Sequence, residues 1–151
     1  MATNALHPRD PELVELARGA GDLARGVARF AVETALRAAP VEADVVAKAL
    51  DALSGLDTTR RSELRRRLHE LAEALEETYW ALSDRADHTA DRDAAFSRAR
   101  AVSALECALV ADPAEATIEA VYEAQAALSG EQAHQLVSDV KAMLRAHATQ
   151  K

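Results

Sequence analysis

The sequence predicts an all-α fold, a compact bundle of about six helices. Three observations point there. Alanine makes up about a quarter of the chain and is the best helix former. β-Branched residues are scarce, with Ile118 the single isoleucine, which argues against strands. Glycine and proline number only 5 and 4 in 151 residues, and most of them fall where a helix would start or stop.

Taken in order, Asp10-Pro11 sets an N-cap residue before a proline at the first helical position. The helix that follows meets Gly19, Gly21 and Gly26, so it bends or breaks near Gly19–Gly21. That leaves a main segment over about 22–39, ended by Pro40. A short helix over about 41–53 stops at Ser54-Gly55. Asp57, Thr58 or Thr59 then caps a long helix reaching about residue 83. Residues 83–93, SDRADHTADRD, are polar and aperiodic and read as a loop. A helix over about 94–111 meets Asp112-Pro113, a second cap-plus-proline start, and the next helix ends at Leu128-Ser129-Gly130. Ser129 and Gln132 have capping-box spacing for a last helix to about 147.

The expected organisation is one all-helical domain over 1–151 with frayed ends at 1–9 and 148–151. The punctuation repeats: helix, proline, helix, Leu-Ser-Gly, helix. Aligning Pro40 with Pro113 also pairs Glu33 with Glu106, Leu36 with Leu109, Glu42 with Glu115 and Val45 with Ile118. This suggests a pseudo-repeat of two three-helix units, 22–83 and 94–147. The competing explanation is that helical proteins reuse the same caps.

Bulk composition bounds the function. A hydrophobic content of 49% and a charged content of 28% suit a globular chain that builds its core without disulfides or metals. The lone Cys107 fits a reducing compartment. No apolar run in the first twenty residues or elsewhere resembles a signal sequence or a membrane span, so the expected location is cytoplasmic. A net charge of −7 disfavours nucleic acid as a partner and leaves another protein as the expected one, with a homodimer compatible.

Within the long helix, Leu64, Leu68, Leu71, Leu75 and Leu82 share one face. Ala72, Ala74, Tyr79 and Ala81 flank it, a stripe broad enough for a bundle core. Arg60, Arg61, Arg65, Arg66 and Arg67 crowd the first turns, whereas Glu70, Glu73, Glu76 and Glu77 fill the second half. The helix dipole prefers the reverse. Matching to charges on neighbouring helices, or plain solvation, is the first explanation. A contact for an acidic partner through Arg61, Arg65 and Arg66 is the second.

Other candidates divide in the same way. Trp80, one residue off the leucine stripe, either packs under the 83–93 loop or anchors an interface. Glu33 has Arg29 and Arg37 four residues to either side, whereas Glu106 has no local cation and calls for an arginine from another helix or faces a cleft. Tyr122 falls on a core stripe, and Cys107 among alanines reads as a small buried thiol. Asp84, Asp87, His88, Asp91 and Asp93 lack calcium-loop spacing. Glu131-x-x-His134 is a single copy of a motif that di-iron bundles need twice, so no metal or cofactor is expected.

Two functions fit this reading. The first is a small acidic protein-interaction module that regulates or neutralises another protein, as an immunity protein, antitoxin or adaptor does. The second is a helical enzyme or small-ligand protein with a pocket between the two halves, using Glu33, Glu106, Tyr122 or His134.

Overall fold

Asp10 opens the first helix as its sequence dictates. Its carboxylate accepts from the backbone N–H of Glu12 at 3.0 Å and of Leu13 at 3.3 Å, and Pro11 takes the first helical position, where no donor is needed. The computed structural model describes residues 10–55, 58–84, 87 and 89–149. These form seven helices: α1 (Pro11–Ala20), α2 (Leu23–Ala38), α3 (Asp44–Ala52), α4 (Thr58–Ser83), α5 (Thr89–Ala108), α6 (Pro113–Ala127) and α7 (Gly130–Thr149). The seventh helix arises because Gly21, at φ 59°, separates α1 from α2 completely; an L side chain rarely adopts that conformation. The candidate cap Asp57, His88 and the expected frayed ends 1–9 and 150–151 lie outside the described residues. Residues 148 and 149, expected to fray, continue α7.

The starts of α5 and α7 differ in detail from expectation. The predicted loop 83–93 is shorter, because α5 already begins at Thr89. A polar, acidic segment is what a helix N-terminus favours, since Asp91 there meets the positive end of the helix dipole. At the start of α7, Ser129 donates its hydroxyl to Gln132 Oε1 at 3.0 Å in place of the reciprocal side-chain-to-backbone bonds of a capping box. Asp112 does cap α6, accepting from the Glu115 N–H at 3.0 Å.

Helices α2, α5 and α6 pack on one another and form the middle of the bundle. Their facing sides are nearly all alanine and valine: Ala28, Ala31 and Val32 on α2, Ala101 and Val102 on α5, Ala120 and Val121 on α6, all fully buried. Small side chains let these backbones approach closely, which explains how a chain with so few aromatics fills its core. Thr117 is the one buried polar residue among those described. Its hydroxyl has acceptors at Ala24 O, 2.6 Å away across the α2–α6 contact, and at Pro113 O, 2.9 Å away one turn back.

The outer helices divide into two groups. Helices α1 and α7 pack on each other and on α2 and α6, whereas α4 packs on α5 and α3. The expected core stripe of α4 holds only for its first half. Leu64, Leu68 and Ala72 are buried, Leu71, Leu75, Tyr79 and Leu82 are half-buried, and Ala74, Thr78 and Ala81 are exposed. Among the described residues, no helix is long and apolar enough to cross a membrane.

Candidate functional site

The α4–α5 hairpin sets the register of everything around it. His69 meets Glu106, Glu76 meets Arg100, and Tyr79 meets Phe96. Each step forward along α4 is a step back along α5, so the two helices run antiparallel. The first turns of α4 therefore lie beside the C-terminal end of α5, where unpaired carbonyls carry partial negative charge. Arg25 of α2 occupies that end too, donating to the carbonyls of Ala108, at 3.5 Å, and Ala111. Burial holds the Arg25 guanidinium below its ordinary pKa, and Arg61 adds to this. Arg61 thus stands next to Arg25 at the same helix end. Arg66 pairs within its own helix with Glu70 at 3.0 Å. Arg66 is thus matched within its own helix, and the arginine-rich first turns of α4 lie beside a helix C-terminus, where the dipole favours cations.

The second half of α4, together with α5 and α6, presents a different surface. Arg100 of α5 donates to Glu76 of α4 and, at 2.9 Å, to Glu123 of α6, while its Nε is buried without a hydrogen-bond partner. Its guanidinium also lies 5.8 Å from the centre of the Phe96 ring. His69 sits between two carboxylates, its Nε2 2.8 Å from Glu73 and its Nδ1 3.1 Å from Glu106. Glu106, whose side chain is 20% exposed, therefore takes a histidine as partner and not the arginine its sequence context suggested.

Titration directions show that these groups share one field. Burial raises the Glu123 carboxyl above its usual range; Arg100 opposes this, and Glu119 and Glu76 reinforce it. The Tyr122 phenol is raised by burial, then by Glu123 and Glu119. The Cys107 thiol is pushed up to about 12, by burial first and then by Glu123, Glu106 and Glu119, with Arg65 opposing. A thiol held this firmly in its protonated form is a poor nucleophile. Glu73 and Glu106 thus hold His69, and Glu76 and Glu123 hold Arg100, on one three-helix face, with Glu119 and Arg65 within electrostatic reach.

Aromatic rings border the face. Trp80 is 66% exposed and Phe96 38%. Tyr79 lies between them, edge-on to Trp80 at 5.0 Å and 5.5 Å from Phe96. The expectation that Trp80 packs beneath the following loop is therefore corrected: it projects from α4 on the side away from the leucines.

Of the eight residues singled out from sequence, the structure gathers four on this face: Arg65, Trp80, Glu106 and Tyr122. Arg66 pairs with Glu70, and Arg61 lies within electrostatic reach of Arg25. Glu33 forms an ordinary i,i+4 pair with Arg29 at 2.7 Å, and His134 is exposed in the first turns of α7. Glu76, Phe96, Arg100, Glu119 and Glu123 escaped sequence reasoning. One signal was available: Glu119 and Glu123 stand at i,i+4, an unfavourable like-charge pair unless a cation arrives from another helix.

Three grooves lie elsewhere. One of about 370 Å³ runs between α3 and α4 and is lined by Lys48, Asp51, Arg60, Glu63 and Arg67. Another of about 460 Å³ lies between α1 and α7. A third of about 340 Å³ separates α2 from α7, beside Phe30, Leu128 and Leu136. None of Glu33, Glu106, Tyr122 and His134 lines any of these three. Among the described residues, no three His, Cys, Asp or Glu side chains form a metal-binding group. Compared with known proteins, the chain matches no family model, no curated protein and no solved structure.

Proposed function

We propose that this chain is a small protein-interaction module that regulates or neutralises another protein, in the manner of an immunity protein, antitoxin or adaptor, and that the α4–α5–α6 face makes the contact. The observation that carries this reading is Trp80, 66% exposed at the edge of a surface framed by Phe96 and Tyr79. Tryptophan is among the residues most enriched where binding energy concentrates, and an exposed aromatic group flanked by charge is the usual form of a docking anchor. The hairpin keeps this anchor rigid, because its register is held by three independent contacts between α4 and α5.

Site-specific photo-crosslinking tests the proposal. A photoreactive residue at position 80 in the producing cells should give a discrete protein adduct. The same residue at the exposed Ala142 on α7 should give none. Adducts of equal yield at both positions, or none at 80, would remove the support for this face.

A further inference from the structure

We infer that α4 pairs with α4 of a second copy of this chain, antiparallel across a two-fold axis, through the side of its second half that lies beyond α3. This goes beyond the interaction-module reading, because it uses the side of α4 opposite Trp80. Helix α3 has nine residues and is about 13 Å long, whereas α4 has 26 and is about 39 Å long. Joined to the first turns of α4 by a short link, α3 covers only about a third of it. The covered side carries Leu64 and Arg67, which line the groove between the two helices. Continued at helical spacing, the same side presents Leu71, Ala74, Leu75, Thr78, Ala81 and Leu82. None of the six is charged. Leu71, Leu75 and Leu82 are half-buried, and Ala74, Thr78 and Ala81 are exposed. The acids of this half turn elsewhere, Glu73 to His69 and Glu76 to Arg100. An uncharged helix side three turns long is normally covered by another helix.

The charges at the two ends of this strip name a second copy as the cover. Arg67 stands half-buried at the α3 end, and Asp84 stands exposed just past the far end. Among the described residues, neither has a hydrogen bond or an ion pair. A two-fold axis at the middle of the strip, between Leu75 and Thr78, sets Leu71 opposite Leu82 of the second copy. It also brings Asp84 to within about one turn of the second copy's Arg67. The strip is thus complementary to itself, apolar along its length with opposite charges at its ends, and each contact is made twice. A parallel pair would set Arg67 against Arg67.

Sedimentation velocity over a concentration series tests this. The chain should show a reversible monomer–dimer equilibrium, of the strength that small interfaces give. Ala74→Glu, which puts a charge into the strip at an exposed position, should weaken the dimer roughly tenfold. Ala142→Glu, at an exposed position on α7, should change it by less than about twofold. Arg67→Asp and Asp84→Arg should each weaken it several-fold, and the two together should restore it, because the exchanged pair attracts as the original does. That rescue separates a contact between copies from damage to the fold. Trp80→Ala should leave the dimer unchanged. A monomer at every concentration, equal weakening by Ala74→Glu and Ala142→Glu, a double exchange that does not rescue, or loss of the dimer in Trp80→Ala would each overturn the inference. The position-80 cross-link to another protein is independent of all four outcomes.

Discussion

Two ionic regions of this bundle use the same side chains to opposite ends. At the α1–α7 seam, Lys141 lies 2.6 Å from Asp10 and 3.2 Å from Glu12, and Arg145 lies 2.5 Å from Glu12. Two acids meet two cations. The hydrogen bond from Lys141 holds Asp10 below the usual carboxylate range, and Arg145 does the same for Glu12. On the α4–α5–α6 face, Glu123 moves the other way although Arg100 touches it, because burial and the neighbouring Glu119 and Glu76 outweigh one shared guanidinium. A carboxylate's titration direction therefore separates a solvated seam, where pairing dominates, from a buried site, where desolvation does. The first joins two outer helices, and the second joins three helices through one shared guanidinium.

The largest expected effect concerns what holds the face in place. Leu68 is fully buried between α4 and the core, so Leu68→Ala should cost roughly 2–5 kcal/mol. Leu71, one turn on, is only half-buried, and Leu71→Ala should cost about 1 kcal/mol. Denaturant melts of the two variants separate them. Equal losses would mean that the second half of α4 is as firmly seated as the first, which would undo the contrast between a fixed hairpin base and an open face.

A smaller effect belongs to the seam. Its acids and Arg145 are exposed and Lys141 is half-buried, and pairs so open to solvent contribute little. Replacing Lys141 and Arg145 with alanine should lower the melting temperature measurably, by less than Leu71→Ala does. The loss should vanish at about 1 M salt, where charges are screened within about 3 Å. The pH sign follows from the lowered carboxyls. Seam stabilisation is present above the ordinary carboxylate range and is lost as pH falls through the lowered folded values of Asp10 and Glu12. The raised Glu123 works in reverse, favouring the fold below its ordinary value and less so as pH rises through its folded value. A seam loss that persists in high salt would mean that packing, and not charge, joins α1 to α7.

Much of this was legible before any coordinates. Asp10-Pro11 and Asp112-Pro113 start helices because both residue types suit those positions locally, and Gly21 breaks the first helix because its conformation demands it. The start of α5 was hidden because an acidic helix N-terminus looks like a polar loop. The arginines of α4 were only half legible. Their reversed order is unfavourable within one helix and reasonable beside the C-terminal end of α5, a relation that depends on tertiary register. Glu106 shows the same limit: its lack of a local cation was visible, but the identity of His69 as its partner depended on how α4 and α5 align. The face itself joins residues from 65 to 123 across three helices, and no local pattern marks it apart from the Glu119–Glu123 clash.

The central claim is that pairing governs the carboxyls of the α1–α7 seam while burial governs Glu123 on the α4–α5–α6 face. Carboxyl-carbon NMR titration of Glu12 and Glu123 in one sample of the free protein tests it directly. The account predicts that Glu12 titrates below the ordinary glutamate value and Glu123 above it. A Glu123 that titrates at or below the ordinary value would show that Arg100 outweighs burial, and would contradict the account.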